Sequence, residues 1–270
     1  MNKRLDNAPL GKKTAYIQQY APNLLYPVSR ELGREKIGLN STLPFTGHDT
    51  WIGYELSWLN DKGKPQIALA TFVFPCSSKV IVESKSFKLY LNSFNQTHFI
   101  SSDEVKNTIQ KDLTSICDCP IAVALFESTP FPFGEMPGLC LDTLDIIVDQ
   151  YEVKPELLQT GDECVEETVH SNLLKSNCLA TGQPDWGSLA IYYKGKKIDH
   201  TSLLQYIISY RNHSGFAEHC VEQIYWDLYT LCKPDKLTVD VRYTRRGGLE
   251  INCQRSNCNH FIEQKRLIRQ

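Results

Sequence analysis

Trp51-Ile52-Gly53-Tyr54-Glu55-Leu56-Ser57-Trp58-Leu59 leads into Asn60-Asp61-Lys62-Gly63-Lys64-Pro65 and out again through Gln66-Ile67-Ala68-Leu69-Ala70-Thr71-Phe72-Val73-Phe74. Two runs rich in β-branched and aromatic residues, split by a polar turn containing Gly and Pro, read as a β-hairpin. The period then changes. Phe87, Leu91 and Phe94 recur at helical spacing, and Ser101-Ser102-Asp103-Glu104 offers a capped start to a second helix carrying Val105, Ile109, Leu113 and Ile116. Ile121-Ala122-Val123-Ala124-Leu125-Phe126 returns to strand character.

The same plan recurs downstream. Strand-like runs from His170 to Cys178 and from Gly187 to Tyr193 are followed by two helical patterns. Asp199 can cap a helix carrying Leu203, Leu204, Ile207 and Ile208, and Ser214 can cap one carrying Val221, Ile224, Leu228 and Leu231. Leu237–Tyr243 and Leu249–Ile251 then read as strands around the turn Arg245-Arg246-Gly247-Gly248. Strand, strand, helix, helix, strand, spelled twice, predicts an α+β fold with helices on one face of an antiparallel sheet, duplicated as modules over residues 1–150 and 151–270. The stretch from Phe126 to about Thr168 holds Pro130, Pro132, Pro137, Gly134 and Gly138 and then Asp162, Glu163, Glu166 and Glu167, and reads as the linker.

Composition bounds the function. The 270 residues are 41% hydrophobic and 22% charged, an ordinary globular balance, with no run near the ~18 apolar residues of a membrane span. Met1-Asn2-Lys3-Arg4-Leu5-Asp6-Asn7 has no apolar stretch behind it, which predicts a cytoplasmic protein without a secretory leader. A net charge of -2 argues for a small-molecule partner over direct nucleic-acid binding. Ten cysteines in a reducing compartment read as small hydrophobes, ligands or nucleophiles. Cys117-x-Cys119 and Cys253-x4-Cys258-x-His260 lack the paired spacing of common structural zinc sites, so no metal is expected.

Cys178 ends a strand-like run just before Thr181-Gly182-Gln183-Pro184-Asp185-Trp186, an edge where a thiol can meet a ligand. A turn could bring Asp185 back to exchange protons with it, as covalent cysteine chemistry at neutral pH requires. Read alone, the pair is equally a packed cysteine and a turn-capping aspartate. Glu83-Ser84-Lys85-Ser86-Phe87-Lys88-Leu89-Tyr90 puts hydroxyls and lysines at a helix start, a natural anion site or an ordinary capped helix. Arg245-Arg246-Gly247-Gly248 could hold a phosphate, or be a charged turn. Glu218, near a helix start, could simply complement the helix dipole.

Taken together these segments resemble one family. Glu83–Tyr90, Ser176-Asn177-Cys178 with Gln183-Pro184-Asp185-Trp186, Phe216-x-Glu218, and Tyr243-Thr244-Arg245-Arg246-Gly247-Gly248-Leu249-Glu250-Ile251 are similar to the QueF nitrile reductases. The likeness includes Gly11-Lys12-Lys13-Thr14 and Gly47-His48-Asp49 and corresponds to the long, bimodular form. It implies a tunnelling fold, in which antiparallel sheets of several modules join into a barrel with helices outside and sites lie at module interfaces, assembled as a homodimer. It also implies NADPH-dependent reduction of 7-cyano-7-deazaguanine to 7-aminomethyl-7-deazaguanine, a queuosine precursor. By the same resemblance Cys178 forms a thioimide with the nitrile carbon and Asp185 moves the proton. Val82, Glu83, Ser84, Ala217 and Glu218 bind the substrate, and Ser84, Lys85, Arg246 and Gly247 contact the cofactor. One position departs: the family reads Phe-His-Glu where this chain reads Phe216-Ala217-Glu218-His219. Residues two apart on a helix lie roughly 200° apart, so His219 does not replace the absent histidine directly, and slower reduction with capture intact is expected. A tunnelling-fold pterin or purine enzyme and a non-catalytic purine binder are the competing readings.

Overall fold

The computed structural model describes residues 16–39, 42–128, 131–179 and 181–270; the Gly11–Thr14 segment lies outside the described residues. In chain order the elements are β1 (Pro27–Ser29), α1 (Glu31–Arg34), β2 (Thr46–Leu59), β3 (Pro65–Pro75), β4 (Val80–Val82), α2 (Ser84–Asn92), α3 (Ser102–Cys117), β5 (Ala122–Phe126), β6 (Leu139–Cys140), β7 (Thr160–Asn177), β8 (Pro184–Ile198), α4 (His200–Ser209), α5 (Ala217–Asp227), β9 (Lys236–Tyr243) and β10 (Leu249–Ser256). The fold is mixed α+β, built on antiparallel sheet with few helices.

The described residues sort into two units, each discontinuous in sequence. One draws on residues 16–32, 50–128 and 245–250, the other on residues 33–39, 42–49, 131–179, 181–244 and 251–270.

In the first unit the sheet order is β5–β3–β2, with β5 antiparallel to β3 from Leu69↔Phe126 to Val73↔Ala122. The hairpin predicted from Trp51–Phe74 is β2–β3. Its inward residues Trp51, Phe72 and Phe74 meet the α2 residue Phe87, whose ring centroid lies 4.8 Å from that of Phe72, edge to face. Such burial contributes about 1.5–3 kcal/mol per large side chain. The expected cap of α3 forms: the Ser101 hydroxyl accepts the Glu104 N–H at 3.2 Å, and Val105, Ile109 and Leu113 are fully buried below it.

In the second unit the order is β10–β9–β8–β7–β6. Asp199 caps α4 as read, accepting the Ser202 N–H at 2.7 Å, and Leu203, Ile207, Val221 and Ile224 bury the apolar stripes of α4 and α5. Two readings need correction. The acidic stretch assigned to the linker is the first half of β7, and it pairs with a basic stretch of β8: Glu166 lies 3.4 Å from Lys194, Asp162 3.6 Å from Lys196 and Glu163 3.8 Å from Lys197. An exposed strand held by cross-strand charges has no apolar alternation to detect. Ser214 does not cap α5 either; the N-cap is Phe216, which has no side-chain capping bond. Neither run of strands closes on itself, so the barrel is not found among the described residues. No described helix is long and apolar enough to cross a membrane, and all ten cysteines are free.

Candidate active site

The β7–β8 hairpin brings Cys178 and Asp185 together. Ser176 pairs with Asp185 and Asn177 with Pro184, and the Cys178 N–H donates to the Gln183 carbonyl at 2.8 Å while the Gly182 N–H donates to the Cys178 carbonyl at 3.0 Å. Cross-strand partners share a sheet face, as do residues two apart. Cys178 and Asp185 are therefore diagonal neighbours on one face, about 7–8 Å apart between Cα atoms. Both are half-buried at the hairpin tip, where solvent and ligand can reach them.

The start of α5 is laced to that tip. The Asn177 N–H donates to the His213 carbonyl at 2.8 Å and the Gly215 N–H donates to the Asn177 carbonyl at 3.2 Å. This bridge is the use the chain makes of the 213–215 segment instead of a cap, and it sets Ala217 and Glu218, the first two residues of α5, beside the cysteine strand. Cys220, one turn in, is fully buried and its thiol is pushed up to about 12 by that burial. The Tyr243 and Ser176 hydroxyls oppose the rise, and the charges of Asp185 and Glu218 add to it. His219 points elsewhere: a Cβ on Gly33 would lie 2.5 Å from its ring, and Phe216 packs edge-on 5.5 Å away.

Glu218 is 2% exposed and sits in a frame of buried charge. Arg34 forks onto Glu222, Nε to Oε2 and Nη2 to Oε1 at 2.8 Å each. Arg255 donates from Nη2 to Glu222 Oε1 at 3.0 Å and from Nη1 to Asp49 Oδ1 at 2.8 Å. Glu218 and Glu222, four apart, share a helix face, so this chain of pairs fixes the side of α5 that carries Glu218. Ligand-type atoms of Asp49, Glu218 and Cys253 lie within 4.8 Å of one another. The donor set fits a metal poorly, because Arg255 already puts a cation on Asp49 and burial holds the Cys253 thiol well above its ordinary value, hence protonated. The zinc candidates Cys117/Cys119 and Cys253/Cys258/His260 gather no such group among the described residues.

Sequence reasoning missed this frame: Asp49 was noted only within a motif, Cys253 only in a zinc pattern that was set aside, and Arg34, Glu222 and Arg255 not at all. The available signal was charge on otherwise apolar elements, Arg255 on β10 and Glu222 between Val221 and Ile224.

The other candidates lie in the first unit. Glu83, fully buried, caps α2: its Oε1 accepts the Lys85 N–H and its Oε2 the Ser86 N–H, both at 2.7 Å. Burial raises its pKa, against the pull of those amides and of Lys88 and Lys85. Val82 is packed at 1% exposure and pairs with Pro27 of β1, while Ser84 and Lys85 stay half-exposed in the first turn of α2. The Arg245–Gly248 turn lies against the same helix. Gly247 and Gly248 both have positive φ; a Cβ on Gly247 would stand 3.3 Å from Lys88 Cδ and one on Gly248 2.6 Å from Glu55 Oε2. The Arg245 guanidinium lies 4.8 Å over the Tyr54 ring, which is fixed by its hydroxyl donating to Glu250 at 2.6 Å. A helix start, two lysines, two arginines and a glycine turn with bare backbone fit the phosphates of a dinucleotide. A cavity of about 420 Å³ bordered by Trp58, Ile67, Phe99 and Phe126 contains none of the candidate residues.

Residues 16–125 match the family model described as nitrile reductase, 7-cyano-7-deazaguanine-reductase N-term, and residues 184–261 match that of QueF-like protein. The chain is 51% identical over 269 residues to the NADPH-dependent 7-cyano-7-deazaguanine reductase of Hydrogenovibrio crunogenus, covering 98% of this chain and 97% of that protein. The chain belongs to the QueF family. The reductase of the same name from Paraburkholderia xenovorans is 54% identical over 273 residues, covering 98% and 99%. Among solved structures, the apo archaeosine synthase QueF-Like is similar at a TM-score of 0.31 and 14% identity, over 36% of this chain and 94% of that one; so slight a likeness adds nothing to the assignment.

Proposed function

We propose that this QueF protein is an NADPH-dependent reductase that takes the nitrile of 7-cyano-7-deazaguanine through four electrons to 7-aminomethyl-7-deazaguanine, a precursor of queuosine in transfer RNA. The observation that carries the chemistry is the hairpin register that sets Cys178 and Asp185 on one face beside the start of α5. The Cys178 sulfur adds to the nitrile carbon, its proton passes to Asp185, and Asp185 returns a proton to the nitrile nitrogen. The product is a neutral covalent thioimide with every atom of both partners retained. NADPH bound against Ser84, Lys85, Arg246 and Gly247 would supply a hydride in each of two rounds: after the first, with a proton to nitrogen, the carbon–sulfur bond would break to return the Cys178 thiol and leave an imine, which the second hydride and a second proton would convert to the amine.

Glu218 accepts hydrogen bonds from the paired N–H donors of the guanine-like edge, held in place by the Arg34–Glu222–Arg255–Asp49 frame. Val82, Glu83, Ser84 and Ala217 are assigned to the substrate, and Ser84, Lys85, Arg246 and Gly247 to the cofactor. Glu83 serves through its backbone and its hold on α2, since both carboxylate oxygens already cap the helix. No step needs a metal: covalent capture activates the nitrile and the cofactor carries the hydride.

The element order supports two tandem tunnelling-fold modules, residues 1–150 and 151–270, and the unclosed strand runs support completion of a barrel by a second copy in a cytoplasmic homodimer. Consumption of two NADPH per nitrile, lost in Cys178→Ala, tests the reaction; a dimer mass by light scattering tests the assembly. A purine-binding protein without catalysis would bind the nitrile and oxidise no NADPH.

A further inference from the structure

Tyr243 closes β9, opposite Gly187 of β8. Gly187 and Asp185 are two apart on one strand, and Asp185 faces Ser176 across the hairpin, so Tyr243, Asp185, Ser176 and Cys178 share one sheet face. Gly187 leaves space that the Tyr243 ring uses: a Cβ there would lie 3.4 Å from Tyr243 Cε1. α5 covers the ring, leaving Tyr243 5% exposed. Its hydroxyl is shut from solvent and has no hydrogen bond of good geometry among the described residues. The groups it faces are the Ser176 hydroxyl and the Cys220 thiol. A buried hydroxyl that faces only a thiol and a poorly aligned hydroxyl calls for an explanation. A hydroxyl beside Ser176 is also beside the residue directly opposite Ser176, which is Asp185.

We propose that Tyr243 is a positioning residue for Asp185, its buried O–H turning to the carboxylate when Asp185 is ionised and holding it in the pose that exchanges protons with Cys178. This rests on the proton-transfer role given to Asp185 above. The titratable groups around the carboxylate are Cys178 on the hairpin tip, Cys220 and Glu218 on α5 and Tyr243 on β9, with Cys253 of β10 reaching Tyr243. Burial holds Tyr243 and Cys220 far toward their protonated forms, so these two are present beside the cluster as O–H and S–H donors. A neutral donor stabilises the ionised carboxylate over the neutral acid.

Asp185 must be ionised to accept the thiol proton, so the rate of thioimide formation falls on the acid side as Asp185 protonates. In Tyr243→Phe the acid limb moves up by about one pH unit, the scale of a hydrogen bond to a charged group. The nitrile Kd stays within about twofold. Ser176→Ala moves the limb in the same direction by less. An unmoved limb in both variants overturns the proposal, as does a uniform loss at every pH with a lowered Tm, which is what a merely structural ring would give. Asp185→Asn separates the layers: if that variant keeps the wild-type acid limb, the role of Asp185 itself fails, whereas a limb lost there and unmoved in Tyr243→Phe removes only the part given to Tyr243.

Discussion

Glu83 and Glu218 make a natural pair. Each is a glutamate at the start of a helix, one per unit, and they are 0% and 2% exposed. Glu83 spends both oxygens on the first amides of α2. α5 begins instead at Phe216 with no side-chain cap, and Glu218 lies among Asp49, Cys253 and the Arg255 frame. A carboxylate turned back onto its own helix is architecture; one lying among side chains of other elements is the one proposed to bind. Residue type and burial are the same in both; Glu83 stands at the N-cap and Glu218 second within its helix, and with that shift the partners change.

The largest effect expected from this contrast is at Arg255. Arg255→Met leaves Asp49 and Glu222 without the cation between them, and breaking such a buried pair costs about 3–5 kcal/mol; urea unfolding reads it. A loss below 1 kcal/mol would mean that the frame does not hold α5. Glu218→Gln comes next. It keeps the shape but turns an acceptor of two N–H groups into a mismatched amide, weakening nitrile binding by about 30- to 100-fold on the scale of charge-assisted bonds, with Tm nearly unchanged. Calorimetric titration beside thermal melting separates the two, and a fall in Tm with unchanged Kd would make Glu218 a second Glu83.

Ala217→His tests the departure from the family pattern. His219 is occupied against Gly33 and Phe216, so α5 has no imidazole on the Ala217 side. Restoring one should raise the reduction steps by about tenfold, a modest general-acid contribution, while thioimide formation is unchanged; single-turnover kinetics with no gain removes the argument.

Smallest is Glu83→Gln, about 1 kcal/mol for a weakened cap. Burial raises the Glu83 pKa in the folded chain, so the folded state holds this proton more tightly than the unfolded chain does. The contribution is full below the unfolded value and is lost as pH rises through the folded one. The advantage of the wild type over Glu83→Gln should therefore shrink as pH rises from about 4 into the neutral range. Unfolding curves showing it grow would reverse the sign and with it the dominance of burial over the capping amides.

Local signals in the sequence carried the first hairpin, the Ser101 and Asp199 caps and the α4 and α5 stripes, because periodicity and capping act within a few residues. The acidic half of β7 stayed hidden, since what makes it a strand is a set of lysines roughly 30 residues downstream. Ser214 misled because its segment is spent on Asn177 of β7. Cys178 and Asp185 were legible as a pair through one turn. The Glu218 frame was not: Asp49 and Arg255 are 206 residues apart, and nothing local marks them as partners. Closure of a sheet into a barrel likewise has no local signature.

The central claim, that Cys178 captures the nitrile covalently, is tested most directly by intact mass of the denatured protein after mixing with 7-cyano-7-deazaguanine in the absence of NADPH, with Cys178→Ala alongside. A gain equal to the whole ligand in the wild type and none in Cys178→Ala is the predicted result. No gain, with binding of the nitrile shown by calorimetry, would contradict it and leave a purine-like ligand held without capture.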